Sequence, residues 1–349
     1  MARELYDVTI IGGGPAGLYA SFYSGLRGMK TKIIEYQNTL GGKVNVYPEK
    51  MIWDVGGQPP ITGEKFIHQL IEQGLTFNPT VVHGEKIMTI KQTDDDLFIL
   101  NDSSGVEHFS KTVIVAVGSG ILKPQKLKVK DADRYEVSNL NYTVQSLERF
   151  QNKTVMISGG GNSAIDWANE LEPIAKKVFV TCRKDHLSGH EAQVDQLMNS
   201  NATCLFNSCI ANLVPCPDRQ MIEYVEVLNQ NTNEVEQVAV DEVIVNHGYE
   251  MDAELLQNSE LNLDMVDDYF LDGNAMSETS VPGVYAAGDI LKHDGKLNLI
   301  AGAFQDAANA VNQAKQFISP DANGQAMVSS HNDVFNERNA KIKQQMLQT

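Results

Sequence analysis

The chain has 349 residues, with 28 Lys and Arg against 45 Asp and Glu, and its formal net charge is −17. A composition of 42% hydrophobic and 21% charged residues is typical of a globular protein of about two domains and excludes a disordered or collagen-like chain. The acidic balance argues against nucleic acid as a partner. With no apolar run of the roughly 18 residues that a membrane span needs and no signal peptide, the sequence predicts a cytoplasmic protein without a membrane partner.

A glycine-rich segment follows the first predicted strand, residues 7–11, and precedes a predicted helix, 18–27. A second predicted strand, 31–35, ends in an acid. In this β-α-β context, G-x-G-x-x-G permits a tight turn and close backbone approach to a pyrophosphate at the helix N-terminus, and the acid accepts hydrogen bonds from an adenosine ribose. The pattern predicts a dinucleotide site formed by Gly12, Gly14, Pro15, Ala16, Gly17 and Glu35.

The same pattern recurs after a predicted strand at 154–158, where the motif residues are Gly159, Gly161, Asn162, Ser163 and Ala164. The residue that stands as far from Gly159 as Glu35 stands from Gly12 is Cys182, so the ribose-binding acid is missing. Arg183 and Lys184 follow it. Two cations suit the 2′-phosphate of NADP(H), which a carboxylate would repel. The second site is therefore predicted to bind NADP(H), with NAD(H) as the alternative.

A third signature, residues 279–289, is an apolar strand that ends in small residues and then Gly288 and Asp289. With two dinucleotide motifs, it is typical of flavin enzymes in which the chain returns to the FAD domain. The segments 112–120 and 243–248 are interpreted as the crossovers between domains. The sequence predicts an α/β fold with two Rossmann-like, three-layer ββα domains: a discontinuous FAD domain of residues 1–117 and 250–349 with a C-terminal tail, and an NADP(H) domain of residues 118–249.

From Tyr6 to about Phe335, the sequence resembles the thioredoxin-reductase-like ferredoxin/flavodoxin NADP⁺ reductases. The motifs that carry the resemblance are GGGPAG at 12–17, LGG at 40–42, YPEK at 47–50, GGGNSAIDWA at 159–168, LEPIAKKV at 171–178, VYAAGD at 284–289 and GKLNLIAGAF at 295–304. Thioredoxin reductases carry a C-x-x-C pair shortly before the second glycine motif, whereas residues 135–150 contain no cysteine. Without a dithiol the protein has no route for passing electrons to a disulfide.

The resemblance implies that NADPH gives a hydride to N5 of a bound FAD and that electrons then pass singly, and reversibly, to ferredoxin or flavodoxin. No catalytic side chain and no metal are expected. A homodimer is also implied, in which a tail residue covers the flavin of the partner. Besides the two glycine motifs, the implied cofactor contacts are Gly42, Lys43, Tyr47, Asp54, Gly118, Gly288, Asp289, Ile300, Ala301, Ser330 and His331.

Two other functions remain open from the sequence. The same flavin and nucleotide sites would serve an NAD(P)H diaphorase or quinone reductase. They would also serve a redox-sensing flavoprotein that is not an enzyme and whose nucleotide state controls a partner. Turnover with purified ferredoxin or flavodoxin distinguishes the three, because a sensor would be reduced without turning over and a quinone reductase would not use the protein carrier.

Overall fold

The structure, a computed structural model, describes residues 4–120, 123–218, 220–250 and 252–347. The chain forms two compact units, one of residues 1–122 and 251–349 and the other of residues 123–250. The first boundary between the units falls after residue 122, where the sequence predicted residue 117, and residues 118–120 line a cleft of the first unit. Among the described helices, none is long and apolar enough to cross a membrane.

Both units are built from short strands and helices around parallel sheets, which confirms the α/β fold class. In the described ranges, the strands are β1 (Leu5–Ile11), β2 (Thr31–Glu35), β3 (Met51–Ile52), β4 (Ile61–Thr62), β5 (Thr80–His83), β6 (Ile87–Gln92), β7 (Phe98–Asp102), β8 (Glu107–Val115), β9 (Leu140–Asn141), β10 (Thr154–Ser158), β11 (Lys177–Thr181), β12 (Thr203–Leu205), β13 (Ser208–Pro215), β14 (Ile222–Asn229), β15 (Val235–Ala239), β16 (Glu242–Val245), β17 (Met265–Val266), β18 (Phe270–Asp272), β19 (Val284–Ala286) and β20 (Leu291–Lys292). The helices are α1 (Pro15–Leu26), α2 (Gly63–Gly74), α3 (Asn162–Leu171), α4 (Glu191–Met198), α5 (Glu254–Asn258), α6 (Ile300–Ile318) and α7 (Asn336–Met346).

The main sheet of the first unit has the order β5-β2-β1-β8-β7-β6, and β19 also pairs with β8. Strands β5, β2, β1, β8 and β19 are parallel. The first half of β8 pairs with β7 in the antiparallel β6-β7-β8 meander, while its second half pairs with β19. The long β8 therefore joins the parallel sheet to the meander. All parallel strands end at one edge, where nucleotides bind in such sheets.

Burial on both faces explains why the central strands are almost continuously apolar. Adjacent residues of a strand point to opposite faces, and Ile10 packs in one apolar cluster while Ile11 packs in another. The Ile10 cluster contains residues of α1, α2 and α6, whereas the Ile11 cluster contains residues of the meander and α5. Small residues such as Ala20 and Ala310 allow α1 and α6 to pack closely. These layers produce the three-layer ββα arrangement.

The second unit repeats this plan with a fully parallel sheet, β12-β11-β10-β16-β9. An antiparallel sheet, β13-β14-β15, packs its apolar side chains on one face, where Val225 and Ile210 meet Met156 and Val243. Residues of α3, including Ile165, are buried within the unit. The carboxyl ends of β10 and β16 are adjacent, which creates a second edge suited to a nucleotide.

A buried polar network lies at the opposite, amino-terminal edge of the first unit's sheet. Nζ of Lys32 is 3.1 Å from Nδ1 of His108, and Nε2 of His108 is 2.9 Å from Oδ2 of Asp102. The ammonium group also lies 4.2 Å from the centre of the Tyr6 ring. Nδ1 of His108 can accept from the Lys32 ammonium while its Nε2–H donates to Asp102, so each of the three groups has a partner. This network stabilises the fold far from the nucleotide edge.

Candidate functional site

A cleft of about 1320 Å³, counting the space open to solvent, lies at the carboxyl edge of the first unit's parallel strands. Half of the predicted cofactor residues surround it, although they come from distant parts of the chain. They are Gly12, Gly14, Pro15, Ala16, Glu35, Gly42, Lys43, Tyr47, Gly118, Gly288, Asp289 and Ile300. The fold thus brings together the first glycine motif, the segment after β2 and the third signature.

The glycines of the first motif have separate structural roles. Gly12 has φ +106°, and a Cβ there would lie 2.4 Å from the carbonyl oxygen of Ala116. A Cβ on Gly17 would lie 1.9 Å from the carbonyl oxygen of Gly12, so Gly17 permits contact between α1 and β1 and does not itself line the cleft. Gly14 and Gly42 approach each other closely, since a Cβ on Gly42 would lie 2.8 Å from Cα of Gly14.

The floor of the cleft is the N-terminus of α1. The helix begins at Pro15, its N-cap is Gly14, and no side chain provides a capping hydrogen bond. The first turn carries no acid. The N–H groups of a first helical turn have no acceptor within the helix, and the helix dipole adds positive potential there. This end of the cleft is therefore suited to the phosphates of a dinucleotide.

Glu35 is held by backbone donors on both sides of its carboxylate. Oε2 accepts from the N–H of Gly13 at 2.6 Å, and Oε1 accepts from the N–H of Gln37 at 2.7 Å. The residue is 7% exposed and lines the cleft. Because each carboxylate oxygen accepts more than one hydrogen bond, Glu35 retains acceptor capacity for ribose hydroxyls. Its contact with a ribose stays a prediction.

Tyr47 presents a half-buried ring to the cleft. Burial, and after it the negative charges of Asp289 and Asp54, raise the pKa of the Tyr47 hydroxyl to about 12. The phenol is therefore neutral at physiological pH, and its ring offers a flat, largely apolar surface. Asp289 lines the cleft beside it, whereas Asp54 is exposed and is not among the lining residues.

Sequence reasoning missed a second group of lining residues, because no motif connects them. They are contributed by the loop before β6, by α5 and the residues just before it, and by the segment before β18, and include Lys86, Asp252, Leu255, Leu256 and Tyr269. Lys86 donates to Asp252 at 2.6 Å and also binds Glu254. The Tyr269 hydroxyl is buried and has no hydrogen-bond partner among the described residues, and burial raises its pKa. Because buried hydroxyls normally have a hydrogen-bond partner, Tyr269 is a candidate ligand contact.

Three other predicted residues, Ala301, Ser330 and His331, also do not line this cleft. Ala301 is the second residue of α6, next to the lining residue Ile300. Ser330 and His331 are exposed in a short 3₁₀ turn.

The C-terminal tail packs beside the end of α2. The rings of Phe335 and Phe77 are 5.7 Å apart, and Arg338 contacts the same Phe77 ring and donates to the carbonyl of Thr76. The resemblance implied that a residue of this tail covers the flavin of the partner subunit, which stays a prediction, and α7 within the tail was not predicted. In the described chain, the tail does not reach the cleft of its own unit.

The second glycine motif has the same geometry in the second unit. Gly159 has φ +148°, and a Cβ there would lie 2.4 Å from the carbonyl oxygen of Asn246. Gly161 is the N-cap of α3, which begins at Asn162 and continues through Ser163 and Ala164. The Asn162 side chain accepts from the N–H of His190 at 3.1 Å. The N-terminus of α3 is thus a second position suited to phosphates.

Arg183 and Lys184 are exposed just after β11. Lys184 donates to the Ser188 hydroxyl at 3.3 Å. Burial, and after it the charge of Arg183, lowers the pKa of His247, whose Nε2 lies 2.9 Å from the Ser158 hydroxyl. Two exposed cations thus lie beside Asp185, which pairs with His186, and the imidazole of His247 is neutral at physiological pH. Cys182, which occupies the position of the missing acid, is buried.

No group of three or more His, Cys, Asp or Glu in the described ranges is arranged to hold a metal ion. The four cysteines are free thiols.

The sequence matches the family Pyridine nucleotide-disulphide oxidoreductase over residues 6–314. Ferredoxin–NADP reductase 1 of Bacillus thuringiensis (strain Al Hakam) is 67% identical over 345 residues, 99% of each chain. Ferredoxin–NADP reductase 2 of Exiguobacterium sibiricum is 66% identical, over 99% of this chain and 98% of that one. The structure resembles thioredoxin reductase of Lactococcus lactis with a TM-score of 0.74 and 24% identity, over 90% of this chain and 99% of that chain. The last similarity concerns the fold alone.

Substitution of Gly12 by Ala tests the close approach at the first cleft. The added Cβ would collide with the Ala116 carbonyl, and we expect at least about a tenfold loss in bound dinucleotide per chain. Gly28→Ala is the matched control, because Gly28 also has a positive φ (+64°) but a Cβ there meets nothing within 4 Å. Absorbance of the purified variants measures cofactor content, and equal content in both variants would contradict the assigned role of Gly12.

Proposed function

The chain belongs to the pyridine nucleotide-disulphide oxidoreductase family and, within it, to the thioredoxin-reductase-like ferredoxin–NADP reductases, and we propose that it transfers electrons between NADPH and ferredoxin through a bound FAD. The proposal rests on one difference between the two glycine motifs. The first glycine motif is paired with a carboxylate, Glu35, whereas the second is paired with two cations, Arg183 and Lys184. This is the difference expected between a site for FAD and a site for NADP(H).

The residues of the first cleft fit FAD. The N-terminus of α1 would hold the pyrophosphate, Glu35 would accept from the adenosine ribose, and Asp289 would accept from the polyol chain. Tyr47 would provide a face for the flavin ring, and the orphaned hydroxyl of Tyr269 would gain a partner. In the second unit, the N-terminus of α3 would hold the NADP(H) pyrophosphate, and Arg183 and Lys184 would bind the 2′-phosphate.

Bound FAD supplies the redox chemistry, in which one NADPH and two oxidised ferredoxins are converted to NADP⁺, one proton and two reduced ferredoxins. The chain's own residues bind and orient the two nucleotides. No acid-base pair is needed, and no cysteine takes part, because the sequence lacks a C-x-x-C pair. Flavodoxin, which also carries single electrons, is the second acceptor that we propose. The cytoplasm is the proposed location.

Turnover with ferredoxin is the direct test. With NADPH as donor, the purified yellow protein should reduce ferredoxin or flavodoxin catalytically, and bound FAD should be released on denaturation. A protein that reduces quinones but neither carrier would be a quinone reductase. A protein whose flavin is reduced once without turnover would be a redox sensor. Either result, or a colourless protein that FAD does not reconstitute, would refute the proposal.

Replacing Arg183 with Ser tests the cofactor preference. We expect kcat/KM for NADPH to fall about ten- to a hundredfold and the value for NADH to change little, because the lost charge-assisted hydrogen bond is partly screened at an exposed site. Arg134→Ser removes another exposed guanidinium of the same unit and is the matched control. Steady-state kinetics measures both variants. An equal loss with both nucleotides would assign Arg183 a role other than recognising the 2′-phosphate.

A homodimer is the assembly that we propose. The tail packs beside α2 and Ser330 and His331 are exposed, so these residues are free of their own cleft. In a dimer, the tail would cover the flavin of the other subunit on the side opposite Tyr47. Such a cover would limit the access of oxygen and of nicotinamide.

Truncation before Ser329 tests this assignment. We expect FAD to stay bound while the rate of flavin reduction by NADPH changes and reoxidation by oxygen becomes faster, because the cover is lost. Stopped-flow absorbance measures both rates, and sedimentation reports the oligomeric state. The control is truncation after Met346, which removes the chain beyond α7 but keeps the turn. Unchanged rates in the longer truncation would make the tail irrelevant to the flavin.

A further inference from the structure

A buried ion pair lies directly behind the cleft wall formed by Gly288 and Asp289. Lys296 and Asp306 bind each other, and their side chains are 6% and 8% exposed. Lys296 comes from the loop before α6, and Asp306 lies within α6. Neither residue lines the cleft.

The pair holds both backbone groups of Gly288. The Lys296 ammonium donates to the Gly288 carbonyl at 2.9 Å, and Oδ2 of Asp306 accepts from the Gly288 N–H at 3.1 Å. Gly288 has φ +79°, and a Cβ there would lie 3.1 Å from Cβ of Ala16 in the first turn of α1. A glycine with both peptide groups bound to buried charges has lost the freedom that its missing side chain would otherwise allow.

The other side of the Asp306 carboxylate faces an incompletely satisfied group. Nε2 of His293 is 3.9 Å from Oδ1 of Asp306 and has no hydrogen-bond partner among the described residues. The Ser277 hydroxyl binds only the backbone carbonyl of Asp306. The shortest contacts of the carboxylate are therefore those with Lys296 and Gly288. If one partner of the pair is removed, the other is left as an uncompensated buried charge.

We propose that Lys296 and Asp306 are positioning residues for the FAD. By fixing Gly288, the pair sets the direction in which the chain leaves β19 and so places Asp289 and its peptide N–H at the cleft. Removal of the two hydrogen bonds would let this segment move, and the cofactor would then have to order it on binding. This inference rests on the proposed FAD site in the first cleft.

The test separates positioning from simple stability. Lys296→Met with Asp306→Leu removes both hydrogen bonds to Gly288 but leaves no unpaired buried charge, and such replacements of buried ion pairs are often tolerated. Asp306→Asn is the single variant. The control is Lys32→Met, which removes a buried ammonium group of the same unit at the opposite edge of the sheet. Dilution of the holoproteins, followed by FAD fluorescence, gives the dissociation constant, and circular dichroism monitors unfolding in urea with excess FAD.

We expect the double variant to bind FAD at least about tenfold more weakly than the wild type. Its urea midpoint should be near that of the wild type once the stabilisation that bound FAD contributes has been subtracted from both. Asp306→Asn should show the same weakening together with lower stability. Lys32→Met should lose stability while its FAD dissociation constant stays within about twofold of wild type. If the double variant does not fold, Lys296→Met alone must show the weakening.

A folded double variant, or a folded Lys296→Met variant in its place, with wild-type FAD affinity would overturn the positioning role and leave the proposed function intact. Weakened binding in the Lys32 control to the same extent would also overturn it, because the effect would then follow stability. Failure of the unaltered protein to bind FAD would refute the proposed function and this inference together.

Discussion

The close approach of backbone to backbone at the end of β1 is the constraint on which the first unit depends. The backbone of Gly12 lies against the Ala116 carbonyl, and the backbone of Gly17 lies against the Gly12 carbonyl. The packing of α1 on the sheet requires both contacts. A side chain at either position would push the helix from the strand and move its N-terminus from the cleft. The same two contacts therefore determine both the packing of the domain and the place where a pyrophosphate can bind.

Buried charges show how the cleft is kept in one conformation. Glu35 is bound by two backbone N–H groups, and Asp306 is bound by Lys296 and by Gly288. Glu35 and Gly288 line the cleft, so moving either segment would leave a buried charge with fewer partners in a medium of low dielectric constant. The cleft is consequently preorganised for a ligand, which lowers the ordering cost of binding.

The sequence alone was sufficient to assign a site residue where a glycine motif lies within a run of strand, turn, helix and strand. Gly12, Glu35 and Gly159 could be assigned because strand, turn, helix and strand follow one another within each unit, and their positions in the structure agree with the motif. Tyr269 and Lys86 could not be found in this way. They reach the cleft through contacts between segments that are far apart in the chain, as in the hydrogen bond from Lys86 to Asp252, and no spacing rule predicts which tyrosine or lysine the fold brings there. The helix α7 was missed because its polar surface resembles that of a free terminus.

The two glycine turns can be compared at a single position, and this comparison explains how one architecture distinguishes two nucleotides. A Cβ on Gly13 would lie 3.1 Å from Oε2 of Glu35, and a Cβ on Gly160 would lie 2.3 Å from Sγ of Cys182. The carboxylate and the thiol thus stand in the same place beneath their turns. Glu35 places a full negative charge beside its cleft, whereas the small thiol of Cys182 packs against the turn and donates to the carbonyl of His186. Arg183 and Lys184 follow the thiol, and the neighbouring Asp185 pairs with His186, whereas Tyr36 and Gln37 follow Glu35. The exchange of acid for thiol, together with these two cations, therefore makes the surroundings of the second turn more positive than those of the first, while both turns keep the same close backbone contacts.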